Sequence, residues 1–97
     1  MSDECRIRCM AKPGAFEGEM VVRLATVDSQ GRDAEATCLA YLDSLTLLQG
    51  KADESGEVPV ALRAHYLEKR DDVAAVVLPQ STFANGTSVL VRTSNLI

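Results

Sequence analysis

From Cys5 to Cys9 apolar and basic side chains alternate, and from Val58 to Leu67 the odd and even positions again divide, Val58, Val60, Leu62, Ala64 and Tyr66 against Pro59, Ala61, Arg63, His65 and Leu67. A period of two belongs to a pleated strand, whose successive side chains point to opposite faces. Met20 to Val27 adds a β-branched and aliphatic run interrupted only by Arg23. Such composition fits a half-buried pleated surface better than a helix.

Turn signals separate these runs. Ala11 to Gly18 carries Pro13 and two glycines, and Asp28 to Asp33 carries Gly31 where a reversal needs a positive φ. Lys69 to Asp72 turns the chain before an apolar strand from Val73 to Leu78, which Pro79 is expected to stop. Asn85-Gly86 is a strong hairpin signal just ahead of a last strand from Ser88 to Thr93.

Two segments admit a second reading. Residues 34–49 can be drawn as a helix with Asp33 as N-cap, Gly50 just past the end, and Cys38, Tyr41, Leu42, Leu45 and Leu48 on one stripe. As strand, 35–42 returns from the hairpin begun at Met20, turns at Asp43-Ser44 and continues as a short extended piece. The hairpin loop before it and a loosely similar pattern, Val89 to Leu96 beside Cys38 to Leu45, favour the strand. Residues 59–70 can likewise start a helix at Pro59, or form a strand with Pro59 near its start or on a sheet edge. The expected fold is therefore mostly β, a small six-stranded antiparallel barrel or sandwich of SH3-like size, with an α+β fold carrying helices at 34–49 and 59–70 as the alternative. At 97 residues the chain holds one domain, 1–97, with a polar linker at about 51–57 between two sub-halves. That linker is expected to be mobile and open to proteolysis.

Composition narrows the function. A formal net charge of -4 disfavours nucleic acid as a partner, because affinity for phosphates rests on counterions displaced by Lys and Arg. No apolar run is long enough to span a membrane, and the acidic start lacks the pattern of a secretory signal, so a cytoplasmic location is expected. Cys5, Cys9 and Cys38 are read as reduced, mostly buried thiols. On a strand Cys5 and Cys9 lie about 13 Å apart, too far for a disulfide or a shared metal. No cofactor and no metal site are expected. Gly50-Lys51 lacks the earlier glycine and the following Ser or Thr of a phosphate loop, Gly14 to Gly18 is too sparse to cradle a nucleotide, and Asn85-Gly86-Thr87 is read as a turn rather than a glycosylation site.

Catalysis would have to use His65, the one histidine, with a thiol, and no nucleophile motif surrounds any cysteine. The carboxylate pairs Asp3-Glu4, Asp53-Glu54 and Asp71-Asp72 fall in tail, linker and turn, where solvated acids are ordinary. The arginines are less evenly spread. Arg6, Arg8, Arg23, Arg63 and Arg92, five of the seven, fall within the expected strands, while the acids concentrate in turns. On one sheet face they would form a cationic surface on an acidic protein, suited to carboxylates, phosphates or an acidic partner. Otherwise they pair across strands with Glu19, Glu35, Glu57 or Glu68. The expected function is a non-catalytic module that binds a protein partner or forms a homo-oligomer, through those arginines or an unpaired edge near Val58 to Leu67. A small enzyme or enzyme accessory subunit using His65 and a thiol, and weak nucleic-acid binding through the arginine face, are the alternatives. Stacking rings for the latter are few: Phe16, Phe83, Tyr41 and Tyr66, two of them expected in the core.

Overall fold

A computed structural model describes residues 3–48, 51–82 and 86–97. Among these residues seven strands run β1 (Glu4–Pro13), β2 (Glu19–Val27), β3 (Asp33–Tyr41), β4 (Leu45–Leu47), β5 (Val58–Arg70), β6 (Val73–Thr82) and β7 (Gly86–Arg92), with 3-10 turns at Leu42–Ser44 and Thr93–Asn95. Five of them close an antiparallel barrel in the order β1, β2, β3, β6, β5 and back to β1. The closing contact between β3 and β6 is the pair Cys38 and Thr82. β4 adds to β5, and β7 adds to β6 and meets β2 at Val27 and Leu90. This is a small barrel of the SH3 or OB kind in size and closure.

The period-two reading of the sequence matches the wall of the barrel. Ile7, Cys9 and Ala11 of β1 point inward, as do Val22 and Leu24 of β2 and Val60, Leu62 and Ala64 of β5, and all are buried. Large and small side chains share this interior, Leu24 and Leu62 beside Cys38, Ala36 and Ala40, as the narrow space of a five-stranded barrel requires. Each fully buried Leu, Ile or Val contributes about 1.5–3 kcal/mol through removal from water.

The strand reading of 34–49 holds. Every residue of β3 is in register with β2, from Glu19 opposite Tyr41 to Val27 opposite Asp33. Ala36, Cys38 and Ala40 are buried in alternation, whereas Tyr41, Leu42 and Leu48 of the competing helical stripe are exposed. The hairpin before β3 is held by Asp28, whose Oδ1 accepts from the Gln30 and Arg32 amides, with Gly31 at a φ of +81°. The turn at Asp43-Ser44 is the first 3-10 turn, and the extended piece beyond it is β4, a seventh strand beside the six expected.

β5 replaces the alternative helix at 59–70 and corrects two details. It is not an unpaired edge near Val58 to Leu67: β1 covers one side from Val58 to His65, and β4 and then β6 cover the other. It also runs on to Arg70, leaving Asp71-Asp72 as a two-residue turn with Asp71 at a φ of +57°. A register shift between Tyr66 and Glu68 leaves Leu67 as the extra, exposed residue of a bulge.

Pro79 does not end β6, which continues to Thr82. Registered pairing lapses between Val77 and Thr82, so the proline, with no N–H to donate, occupies a stretch where no ladder bond is missed. The Asn85-Gly86 turn falls on 83–85, outside the described residues, and Gly86 opens β7 at a φ of +71°.

Candidate binding surface

Pleating puts Arg6, Arg8, Met10 and Lys12 on the outer face of β1, opposite the buried row on the same strand. Arg6 stands in register with Arg63 of β5, Arg8 with Ala61, and Met10 with Arg23 of β2. Four of the five strand arginines therefore gather on the neighbouring outer faces of β2, β1 and β5. Arg92 lies apart at the end of β7.

Their environments differ. Arg23 is clamped by two carboxylates: its Nε and Nη2 donate to Glu57 at 3.1 and 2.6 Å, and its Nη1 donates to Glu35 at 2.9 Å. These hydrogen bonds raise the Arg23 pKa further, Glu57 contributing most, and hold the Glu57 carboxyl below its ordinary range. Glu57 is itself buried, at 8% exposure. Ahead of it, Asp53 accepts from the Ser55 hydroxyl and from the Ser55 and Glu57 amides, which lowers its pKa and shapes the end of the 51–57 segment. Arg92 donates from Nη1 to Asp72 at 2.9 Å and from Nη2 to Asp33 at 3.1 Å, tying the β5–β6 turn to the start of β3. Arg63 pairs with Glu4 at 2.7 Å.

Arg6 and Arg8 make no ion pair or side-chain hydrogen bond among the described residues. Two positions apart on one strand, they project their guanidinium groups from the same face with Arg63 beside them. Arg8 also borders a shallow hollow of about 230 Å³ with Met10, Pro59, Asn95 and the Arg23–Glu35 pair. A planar fork of donors on a fixed strand suits bidentate recognition of carboxylates.

A larger groove, about 470 Å³, lies where the β2–β3 turn faces β6 and β7, with Val27, Ala75 and Leu90 in its wall and Asp28, Ser29 and Ser88 at its edge. Asp28 there is committed to its own turn: the Arg32 amide, foremost, and the Gln30 amide and Arg32 side chain lower its pKa. No thiol or histidine lines the groove. Among the described residues no three His, Cys, Asp or Glu side chains converge to hold a metal ion.

His65 and the thiols sit on opposite sides of the barrel wall. His65 is exposed on the outer face of β5, whereas Cys9 and Cys38 are buried inside and Cys5 is half-buried on the inward row. Burial raises all three thiol pKa values, that of Cys9 to about 12, so none is poised as a thiolate at neutral pH. Nor do the described aromatics make a stacking platform: Phe16 and Tyr41 are exposed but sit on a loop and at the end of β3, and Tyr66 packs against the core. Compared with protein-family models, with curated proteins and with solved structures, the chain matches none.

The sequence singles out the strand arginines but cannot sort the paired from the unpaired. Which arginines stay unpaired depends on carboxylates brought in from 12 to 59 residues away. Period two did mark Arg6 and Arg8 as outward.

Proposed function

We propose that this protein is a non-catalytic β-module that binds an acidic segment of another protein along the Arg6–Arg8 row of β1. One observation carries the reading: in a chain of net charge -4, two arginines stand on the same strand face with no carboxylate partner among the described residues, while Arg23, Arg63 and Arg92 are each paired. Free guanidinium groups held by a rigid strand lose little conformational freedom when a carboxylate arrives, and such preorganisation favours binding. Two or three cations are too few for strong binding to a polyanion, which separates this reading from nucleic-acid recognition. The three free thiols fit a reducing compartment such as the cytoplasm. Among the described residues no helix is long and apolar enough to cross a membrane.

Calorimetric titration with a glutamate-rich peptide tests the proposal. The expected result is binding at low ionic strength that weakens as salt is raised, since exposed ion pairs are screened over about 10 Å at 0.1 M. No heat and no complex at low salt would overturn it.

A further inference from the structure

Among the described residues β4 ends the sheet, paired with β5 alone. The Leu48 amide donates to the Pro59 carbonyl. Bonded and open pairs alternate along an antiparallel ladder, so Thr46 turns its backbone groups toward β5 while Leu45 and Leu47 turn theirs to the open side. The Leu45 N–H is already held by the Leu42 carbonyl, which leaves the Leu45 carbonyl and both backbone groups of Leu47 facing outward.

Single domains protect such an edge with lysine, proline, a bulge or a covering loop. Ser44-Leu45-Thr46-Leu47-Leu48 has neither charge nor proline. Among the described residues, four of the seven exposed large apolar side chains lie within eight residues here, Tyr41, Leu42, Leu47 and Leu48, at 56%, 58%, 64% and 42% exposure. A fifth, Phe16, belongs to the β1–β2 loop that the Leu42 amide joins through the Gly18 carbonyl.

We infer that this edge is the interface of a weak two-fold dimer, β4 pairing antiparallel with β4 of a second copy. The edge is its own complement. A two-fold axis at Thr46 sets Leu45 of each copy opposite Leu47 of the other, so each Leu47 N–H donates to the opposite Leu45 carbonyl and the leucines meet in two reciprocal pairs. Because the run is uncharged, two acidic chains meet along it without opposing like charges. The exposed side chains offer roughly 400–500 Å² per copy, about 800–1,000 Å² in all, which is the range of transient association. For an interface of that size the expected dissociation constant is on the order of 100 µM.

Sedimentation equilibrium from about 10 µM to about 1 mM reads the result directly. The wild type is expected to rise from monomer mass toward twice that value. Leu47→Pro removes the outward N–H while sparing the bonds to β5, and Leu47→Lys charges the edge without touching the backbone. Both variants are expected to stay monomeric across the range, with the amide spectrum of the folded barrel confirming that they fold. A wild type that remains monomeric at about 1 mM overturns the inference and leaves the edge to a strand of another protein. A dimer that persists unchanged in both variants overturns it as well, by placing the contact elsewhere.

Discussion

The outer faces of β1 and β2 carry the same residue type in two different states. On β2, Arg23 is held by Glu35 and Glu57 and does structural work, fastening the end of the 51–57 segment to the barrel. On β1, Arg6 and Arg8 have no such partner among the described residues. Among the described residues, internal ion pairs take up the first arginine and not the other two. Positive charge without an internal partner, on a strand of an acidic protein, is the feature that supports the proposed docking of an acidic segment.

The difference can be broken or sharpened by mutation. Reversing the β1 charges together, Arg6→Glu with Arg8→Glu, is expected to weaken binding of a glutamate-rich peptide by about tenfold or more in calorimetry. The same variant should melt within about 0.5 kcal/mol of the wild type, because exposed, unpaired surface groups contribute little to stability. Glu57→Ala acts the other way. It leaves Arg23 bonded to Glu35 alone, with Nε and Nη2 open to a ligand, so peptide affinity is expected to rise about two- to threefold while the melting temperature falls by roughly 5 °C.

Much of this architecture was legible beforehand. Period two in Cys5 to Cys9 and Val58 to Leu67 marks strands because one side of the wall is core and the other solvent. Residues 34–49 were ambiguous because Cys38, Tyr41, Leu42, Leu45 and Leu48 fit a helical stripe as well as a strand and a turn. What decides is the nine-residue ladder with β2, a long-range term absent from local sequence. Pro79 misled for a related reason: a proline breaks a ladder only where a ladder bond is due, and β6 has no registered partner there. Glu35 and Glu57 are among the acids the sequence offers as cross-strand partners, yet Glu57 is 34 residues from Arg23 and arrives on a segment whose spacing says only that it is polar.

Acid pH probes the clamped side of the comparison. Glu57, Asp53 and Asp28 all have folded pKa values below their ordinary ones, with the Arg23 hydrogen bond, the Ser55 hydroxyl and the Arg32 amide as respective leading causes. A depressed carboxyl stabilises the fold above its unfolded pKa, about 4, and the contribution is lost as pH falls through the lower folded value. The melting temperature is expected to decline below about pH 4.5, and Arg23→Met should make that decline shallower by removing the Glu57 part.

Alkaline pH probes the inner row of β1 and carries the smallest effect. The Cys9 pKa is raised by burial from 9.0 to about 12, so the folded state keeps its proton after the unfolded chain has lost it. Its contribution is complete below pH 9.0 and falls away between 9.0 and about 12. Cys9→Ala should flatten that part of the profile, and iodoacetamide should label the native wild-type thiol far more slowly than the unfolded one.

The most direct measurement follows the arginine side chains themselves, as Nε–Hε resonances of the labelled protein during titration with a glutamate-rich peptide. The account predicts that Arg6 and Arg8 move together and saturate while Arg23 and Arg92, already bonded to Glu57, Glu35, Asp33 and Asp72, stay in place. Movement of Arg23 and Arg92 with Arg6 and Arg8 unshifted would contradict it.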